Sequence, residues 1–100
     1  MKKIEAIIKP FWLEEVKNAL GELGIHRMTT TEVKGFGREA GHTEVYRGSE
    51  YTINFVPNIK IELVVTDEQL EAAVKAIAEP GKTGRNGGDE ILVSTIELAA

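Results

Sequence analysis

The residues best suited to chemistry lie in a long polar stretch over residues 35–51, in which glycine recurs at positions 35, 37, 41 and 48. Gly35 and Gly37 bracket Phe36, and Arg38 follows directly. Glycine lets backbone N–H groups approach a phosphate closely, and a guanidinium adds charge-assisted hydrogen bonds to the phosphate oxygens. A Gly-x-Gly step also occurs at ordinary turns between a strand and a loop. The residue types therefore indicate either a phosphate site or such a turn.

Three further side chains in this stretch are candidates for contact with another protein. Tyr51 ends a polar run, where its phenol is accessible to a modifying enzyme or to a partner, since tyrosine serves protein interfaces well. Tyr46 is a second, weaker candidate for modification, and Arg47 either enters a partner's surface or remains solvated. A connection of this length is uncommon inside a compact domain, and it favours a functional loop.

The composition excludes several other functions. The chain has no cysteine, which rules out disulfides and thiolate metal sites, and its net charge of −4 argues against nucleic-acid binding. No apolar run approaches the roughly 20 residues that span a bilayer, and the N-terminus lacks a signal-peptide pattern, so we expect a cytoplasmic protein without membrane insertion. His26 and His42 lack the spaced partners of a metal site. No nucleophile–base arrangement can be assigned, so we predict a binding protein rather than an enzyme.

Hydrophobic periodicity divides the chain into two similar halves, each with a strand, an amphipathic helix and a second strand. The predicted strands cover 1–9, 26–36, 59–66 and 91–96, and the helical stripes cover 13–23 and 70–77. Gly24 is expected to cap the first helix, and Thr66 lies where the second should be capped. The two halves predict one ferredoxin-like α+β domain over residues 1–100: an antiparallel sheet with both helices on one face.

The other face of this sheet would remain uncovered by the helices. Yet the strands carry apolar residues at both odd and even positions, which point to opposite faces, as with Ile7 beside Ala6 and Val64 beside Leu63. A homo-oligomer with its sheets facing inward would bury such a face.

Several segments resemble the PII signal-transduction proteins: MKKIEAIIKPF at 1–11, TEVKGFGR at 31–38, GHTEVYRGSEY at 41–51, TG at 83–84 and ILV at 91–93. The resemblance runs without gaps over essentially the whole chain. It implies a homotrimer of ferredoxin-like subunits that binds an adenine nucleotide (ADP, AMP or ATP) in clefts between neighbours. In many relatives, magnesium bridges ATP to 2-oxoglutarate in the same cleft.

The resemblance also implies that the long loop, here about residues 37–55, changes shape with the ligand. In relatives this loop engages an ammonium transporter or an enzyme of nitrogen metabolism, and the tyrosine matching Tyr51 is often reversibly uridylylated. A second glycine-bearing loop over 82–90 belongs to the ligand site. The function expected from the resemblance is therefore regulation of nitrogen metabolism.

Particular residues of this chain match the family's ligand site. An adenosine pocket needs an apolar wall with a few hydrogen-bonding groups. The positions that hold base and ribose correspond to Ile7, Thr29, Glu62 and Val64. The remaining nucleotide contacts fall on Gly35, Phe36, Gly37, Arg38, Gly87 and Gly88, and the possible effector and magnesium site on Glu39, Gly41 and Asn58.

Departures from the family pattern cluster at the effector and phosphate ends of this site. Glu39 replaces a glutamine that helps to ligate magnesium; it could still bind the ion, but its charge would repel a dicarboxylate. Asn58 replaces the lysine that pairs with 2-oxoglutarate, and Glu90 replaces a lysine that contacts phosphate. Asp89 replaces a glycine, and Trp12 replaces a basic residue. Relatives also continue for about a dozen residues with two phosphate-binding arginines, so we expect weaker neutralisation of a triphosphate here.

These departures predict a divergent PII protein that favours ADP or AMP over ATP and senses 2-oxoglutarate weakly. One alternative is a PII-like regulator of carbon (bicarbonate) or other transport. Another is an interaction domain that needs no ligand. A small enzyme on the same fold, such as an acyl phosphatase, is the least favoured because of the long loop.

Overall fold

Four strands and two helices position the candidate site in this computed structural model, which describes residues 1–35, 56–81 and 91–100. In chain order the elements are β1 (Lys2–Ile8), α1 (Leu13–Glu22), β2 (Thr29–Gly35), β3 (Val56–Val65), α2 (Leu70–Ala78) and β4 (Ile91–Thr95). A single 3-10 turn, Pro10–Trp12, leads into α1, and another, Glu79–Gly81, follows α2.

The strands form one sheet in the order β2-β3-β1-β4, and every neighbouring pair is antiparallel. The central pair, β1 and β3, is in register from Lys2 opposite Val65 to Ile8 opposite Ile59. This topology confirms the predicted ferredoxin-like α+β fold. The predicted loops over 37–55 and 82–90 lie outside the described residues, and the homotrimer stays a prediction.

The hydrophobic core lies between the helices and one face of the sheet. Alternation along the central strands places every second side chain in it, so Ile61, Leu63 and Val65 of β3 are buried. The helices contribute Val16 and Leu20 from α1 and Ala73 and Ile77 from α2. The buried set comprises Ile4, Ala6, Ile8, Val16, Leu20, Ile25, Ile61, Leu63, Val65, Ala73 and Ile77.

Helix α1 ends in the predicted glycine cap. Gly24 has a φ of 83°, which favours glycine because a Cβ would be strained there. The Gly24 N–H donates to the Gly21 carbonyl at 2.9 Å, and the Ile25 N–H donates to the Leu20 carbonyl at 3.0 Å. These two bonds form a Schellman motif, and burial of both Ile25 and Leu20 supplies its apolar contact.

Two strands begin three residues away from their predicted starts. β2 begins at Thr29 rather than at residue 26, and β3 begins at Val56, three residues before the predicted start at 59. Pro57 argues against a strand at this position in the sequence, because proline is normally excluded from the middle of a sheet. It is tolerated here because β1 pairs only as far as Ile59, so the first residues of β3 have β2 as their single neighbour.

The turn before α2 carries reciprocal side-chain caps. The Gln69 N–H donates to Thr66 Oγ1 at 3.1 Å, and the Thr66 N–H donates to Gln69 Oε1 at 3.0 Å. This is a capping box, in which each side chain satisfies the other's backbone donor. The cap predicted at Thr66 is confirmed.

Removing this cap should destabilise the domain modestly. Thr66→Ala removes the side-chain acceptor and leaves the Gln69 N–H only the Thr66 backbone carbonyl at 3.1 Å, so we expect the free energy of unfolding to fall by about 1 kcal/mol. Urea denaturation followed by circular dichroism measures the change. Glu68→Ala, an exposed neighbour in the same turn, is the control and should change stability by less than half as much. Equal losses in the two variants would contradict a role for the capping box.

Candidate functional site

The candidate site lies on the face of the sheet that points away from the helices, which we call the open face. Along each strand, the residues that alternate with the buried ones point to this face. Its members are Lys3, Glu5 and Ile7 of β1, Thr29, Thr31 and Val33 of β2, Asn58, Lys60, Glu62 and Val64 of β3, and Leu92 and Ser94 of β4.

The open face brings together the predicted base and ribose residues. Thr29 lies directly opposite Glu62 across β2 and β3. Ile7 lies opposite Lys60, and Val64 lies opposite Lys3, across β1 and β3. Asn58, predicted for the effector site, is on the same face at the end of the sheet where β2 leads toward Gly35. These side chains therefore share one surface although they come from three strands.

Of the remaining site predictions, only Gly35 is among the residues that the structure describes. Gly35 ends β2 opposite Val56. The others lie outside the described residues: Phe36, Gly37, Arg38, Glu39, Gly41, Gly87 and Gly88 for the ligand site, and Tyr46, Arg47 and Tyr51 for partner contact or modification.

Apolar side chains on the open face are only partly covered in the single chain. Val64 is 40% exposed and Leu92 is 57% exposed, while Ile7 is half-buried. Such a surface can pack against the flat face of an aromatic ring or against another protein chain. An apolar surface of this kind is compatible with the predicted wall for a nucleotide base, which stays a prediction.

A cluster of four charges lies at the centre of the open face. Lys3 Nζ is 3.3 Å from Glu5 Oε2 and 3.5 Å from Glu62 Oε2. Lys60 Nζ is 3.8 Å from the same oxygen of Glu62. The hydrogen bond and the charge of Glu5, followed by the charge of Glu62, raise the pKa of Lys3 above its ordinary value. The cluster therefore holds a carboxylate acceptor beside the hydroxyl-bearing Thr29.

Sequence reasoning identified Glu62 but missed Lys3, Glu5 and Lys60 as its neighbours. Parity alone shows that Lys3, Glu5 and Ile7 share a face of β1, because they alternate with the buried residues. The contact with Glu62 depends on the register of β1 against β3, which places Glu5 directly opposite Glu62. That register is not encoded in either strand alone.

Two buried polar atoms near one end of the sheet have no hydrogen-bond partner: Asn58 Oδ1 and Trp12 Nε1. Trp12 is half-buried, and its ring centroid lies 5.1 Å from that of Phe11. An amide oxygen such as Asn58 Oδ1 can accept from a ligand donor or contribute to a magnesium site. Among the described residues, no group of three or more acidic or histidine side chains could hold a metal ion.

Comparison with known proteins identifies the family. A sequence model described as "Nitrogen regulatory protein P-II" matches residues 1–99. The chain belongs to this family. A nitrogen regulatory protein P-II from Rhizobium meliloti is 57% identical over 97% of this chain and 87% of its own length. P-II proteins from Rhodospirillum rubrum and Pasteurella multocida are 58% and 55% identical over 99% and 97% of this chain, and over 88% and 87% of their own lengths.

Family membership confirms the resemblance inferred from the loop and N-terminal motifs. The matched relatives are named as regulatory proteins, which agrees with the expected binding role. In the part of the P-II chain that the structure describes, no helix has the length and apolar character needed to cross a membrane.

Proposed function

We propose that this P-II family member binds an adenine nucleotide against the open face, in a cleft completed by a neighbouring subunit of a homotrimer. The observation that carries the proposal is the convergence of Ile7, Thr29, Glu62 and Val64 on that face. Ile7 and Val64 supply apolar surface for a base. Thr29 and Glu62, opposite each other, supply a hydroxyl and a carboxylate for its polar edge and ribose.

The proposed preference is for ADP or AMP over ATP. The phosphates would meet Gly37 and Arg38 at one end, but Glu90 brings a negative charge where relatives carry lysine. Each added phosphate increases the anionic charge that must be neutralised, so a charge reversal penalises the triphosphate most. Glu39 and Asn58 can still offer oxygen atoms to magnesium. They do not offer the positive charge that a 2-oxoglutarate carboxylate requires.

The proposed output is control of a cytoplasmic nitrogen-metabolism enzyme or of a membrane transporter. Family membership and the relatives' name as nitrogen regulatory proteins support this role. The segment over 37–55, with Tyr46, Arg47 and Tyr51, would make the contact. Reversible uridylylation of Tyr51 is a further part of the proposal.

Calorimetric titration tests ligand choice. The protein is titrated with ATP, ADP and AMP, each with and without magnesium and 2-oxoglutarate. We expect ADP or AMP to bind more tightly than ATP, and we expect 2-oxoglutarate to leave the affinity for ATP unchanged. Tight ATP binding that 2-oxoglutarate strengthens would contradict the proposed preference, and failure to bind any adenine nucleotide would contradict the nucleotide site itself.

Adjacent threonines provide a matched pair for locating the nucleotide. Thr29 is on the open face, whereas Thr30 pairs with Ile61 and has the opposite parity. Loss of one hydrogen bond corresponds to about 1 kcal/mol, so Thr29→Val should weaken ADP binding by about fivefold. Thr30→Val should leave it unchanged. Equal losses in both variants would place the nucleotide elsewhere.

A further inference from the structure

The charge cluster contains a pair of opposed glutamates that would repel each other without Lys3. Glu5 and Glu62 are directly opposite each other on the central strands. Like charges at directly opposed positions destabilise an antiparallel pair. Lys3 precedes Glu5 by two residues on the same face, and its ammonium group lies within 3.5 Å of a carboxylate oxygen of each glutamate. One cation therefore offsets the repulsion between two anions.

Glu62 is also the acidic side chain closest to Thr29 in the register of the sheet. Its Oε2 atom faces Lys3 at 3.5 Å and Lys60 at 3.8 Å. An ionised carboxylate has two oxygens and only accepts hydrogen bonds. Because both lysines lie close to Oε2, we take Oε1 as the oxygen that accepts from a ligand on the open face.

We propose that Lys3 is a positioning residue that fixes the Glu62 carboxylate as the acceptor by which the open face distinguishes an amino-purine from an oxo-purine. The inference rests on the proposed nucleotide site. A fixed carboxylate accepts from the exocyclic amino group of adenine, whereas it repels the carbonyl oxygen that hypoxanthine carries at that position. Without Lys3, the charge of Glu5 pushes Glu62 away from this geometry, and Lys60 alone remains to hold it.

The test compares ADP with inosine diphosphate by calorimetry. The unaltered protein should prefer ADP. Lys3→Met should weaken ADP binding by about three- to fivefold, the range expected for a partly exposed ion pair. It should not weaken inosine diphosphate binding, because the carboxylate that repels the hypoxanthine carbonyl is no longer held in place. The preference for the amino-purine should therefore shrink by at least the same factor. Lys3→Arg keeps the cation and should keep most of the preference.

Lys2→Met is the matched control because Lys2 is the adjacent lysine on the other face. Its Nζ donates to Thr95 Oγ1 at 2.8 Å and takes no part in the cluster. We expect it to leave both affinities unchanged. Circular dichroism and urea unfolding of each variant establish that a change in affinity does not reflect loss of folded protein.

A second substitution separates positioning from a merely structural role. Glu5→Gln removes the repelling charge, so in the Lys3→Met background it should restore the preference for ADP. This rescue is a coupling between two residues, which a double-mutant cycle measures directly. Unchanged discrimination in Lys3→Met, or no rescue by Glu5→Gln, would overturn the inference while leaving the nucleotide site in place. Absence of nucleotide binding by the unaltered protein would overturn the proposed function and this inference with it.

Discussion

Replacing Ile61 with alanine should lower the free energy of unfolding by about 3–4 kcal/mol. Ile61 is fully buried at the centre of β3, opposite Ala6 of β1 and Thr30 of β2. The substitution removes apolar contacts and leaves a cavity that the packed helices cannot fill without moving. Urea denaturation monitored by circular dichroism measures the loss.

Val64→Ala is the matched control for this prediction. Val64 is on the same strand but on the open face, where it is 40% exposed. Its truncation should change the unfolding free energy of the single chain by less than about 1 kcal/mol, because a partly exposed side chain loses fewer contacts. If both variants lost equal stability, the core would not lie on the helix side of the sheet.

The two variants should also separate stability from ligand binding. Ile61 lies between Lys60 and Glu62 in sequence but points away from them. At urea concentrations at which the variant remains folded, Ile61→Ala should therefore bind ADP with nearly unchanged affinity. Val64→Ala should weaken ADP binding while remaining folded, because it removes part of the proposed base-binding wall.

Much of the fold could be predicted because its strongest signals are local. The alternating apolar residues at 59, 61, 63 and 65 lie in one short segment of the chain, and they predict a strand there without knowledge of any other strand. The glycine cap at Gly24 and the cap at Thr66 are likewise local, since each depends on a single turn of chain. These predictions agree with the structure.

The features that were missed depend on how separate segments meet. The start of β3 was placed too late because Pro57 argues against a strand until its edge-like environment is known. The grouping of Lys3 and Glu5 with Glu62 requires the β1–β3 register, which alternation does not determine. Residues of the candidate site such as Thr29 and Ile7 have ordinary strand character, so only the family resemblance indicated a ligand role for them.

Replacing Asn58 with lysine should create the 2-oxoglutarate response that this chain is expected to lack. Asn58 is half-buried on the open face, and its Oδ1 is buried without a partner. The PII resemblance places a lysine here that pairs with a carboxylate of the effector. At an effective dielectric of about 20, such a pair attracts by about 4 kcal/mol before desolvation and entropy are subtracted. We expect a gain of about tenfold or more in 2-oxoglutarate affinity, measured by calorimetry with ATP and magnesium present.

Asn58→Gln is the control because it lengthens the side chain and keeps the amide uncharged. It should produce no gain, whereas the gain from lysine should shrink as salt concentration rises, since ions screen a charge pair. Adding Glu39→Gln to Asn58→Lys removes the remaining repelling carboxylate and should increase the affinity further. A comparable gain from Asn58→Gln, or none from either lysine variant, would show that charge at position 58 does not determine the effector response. Residues other than Asn58 and Glu39 would then determine the response to 2-oxoglutarate.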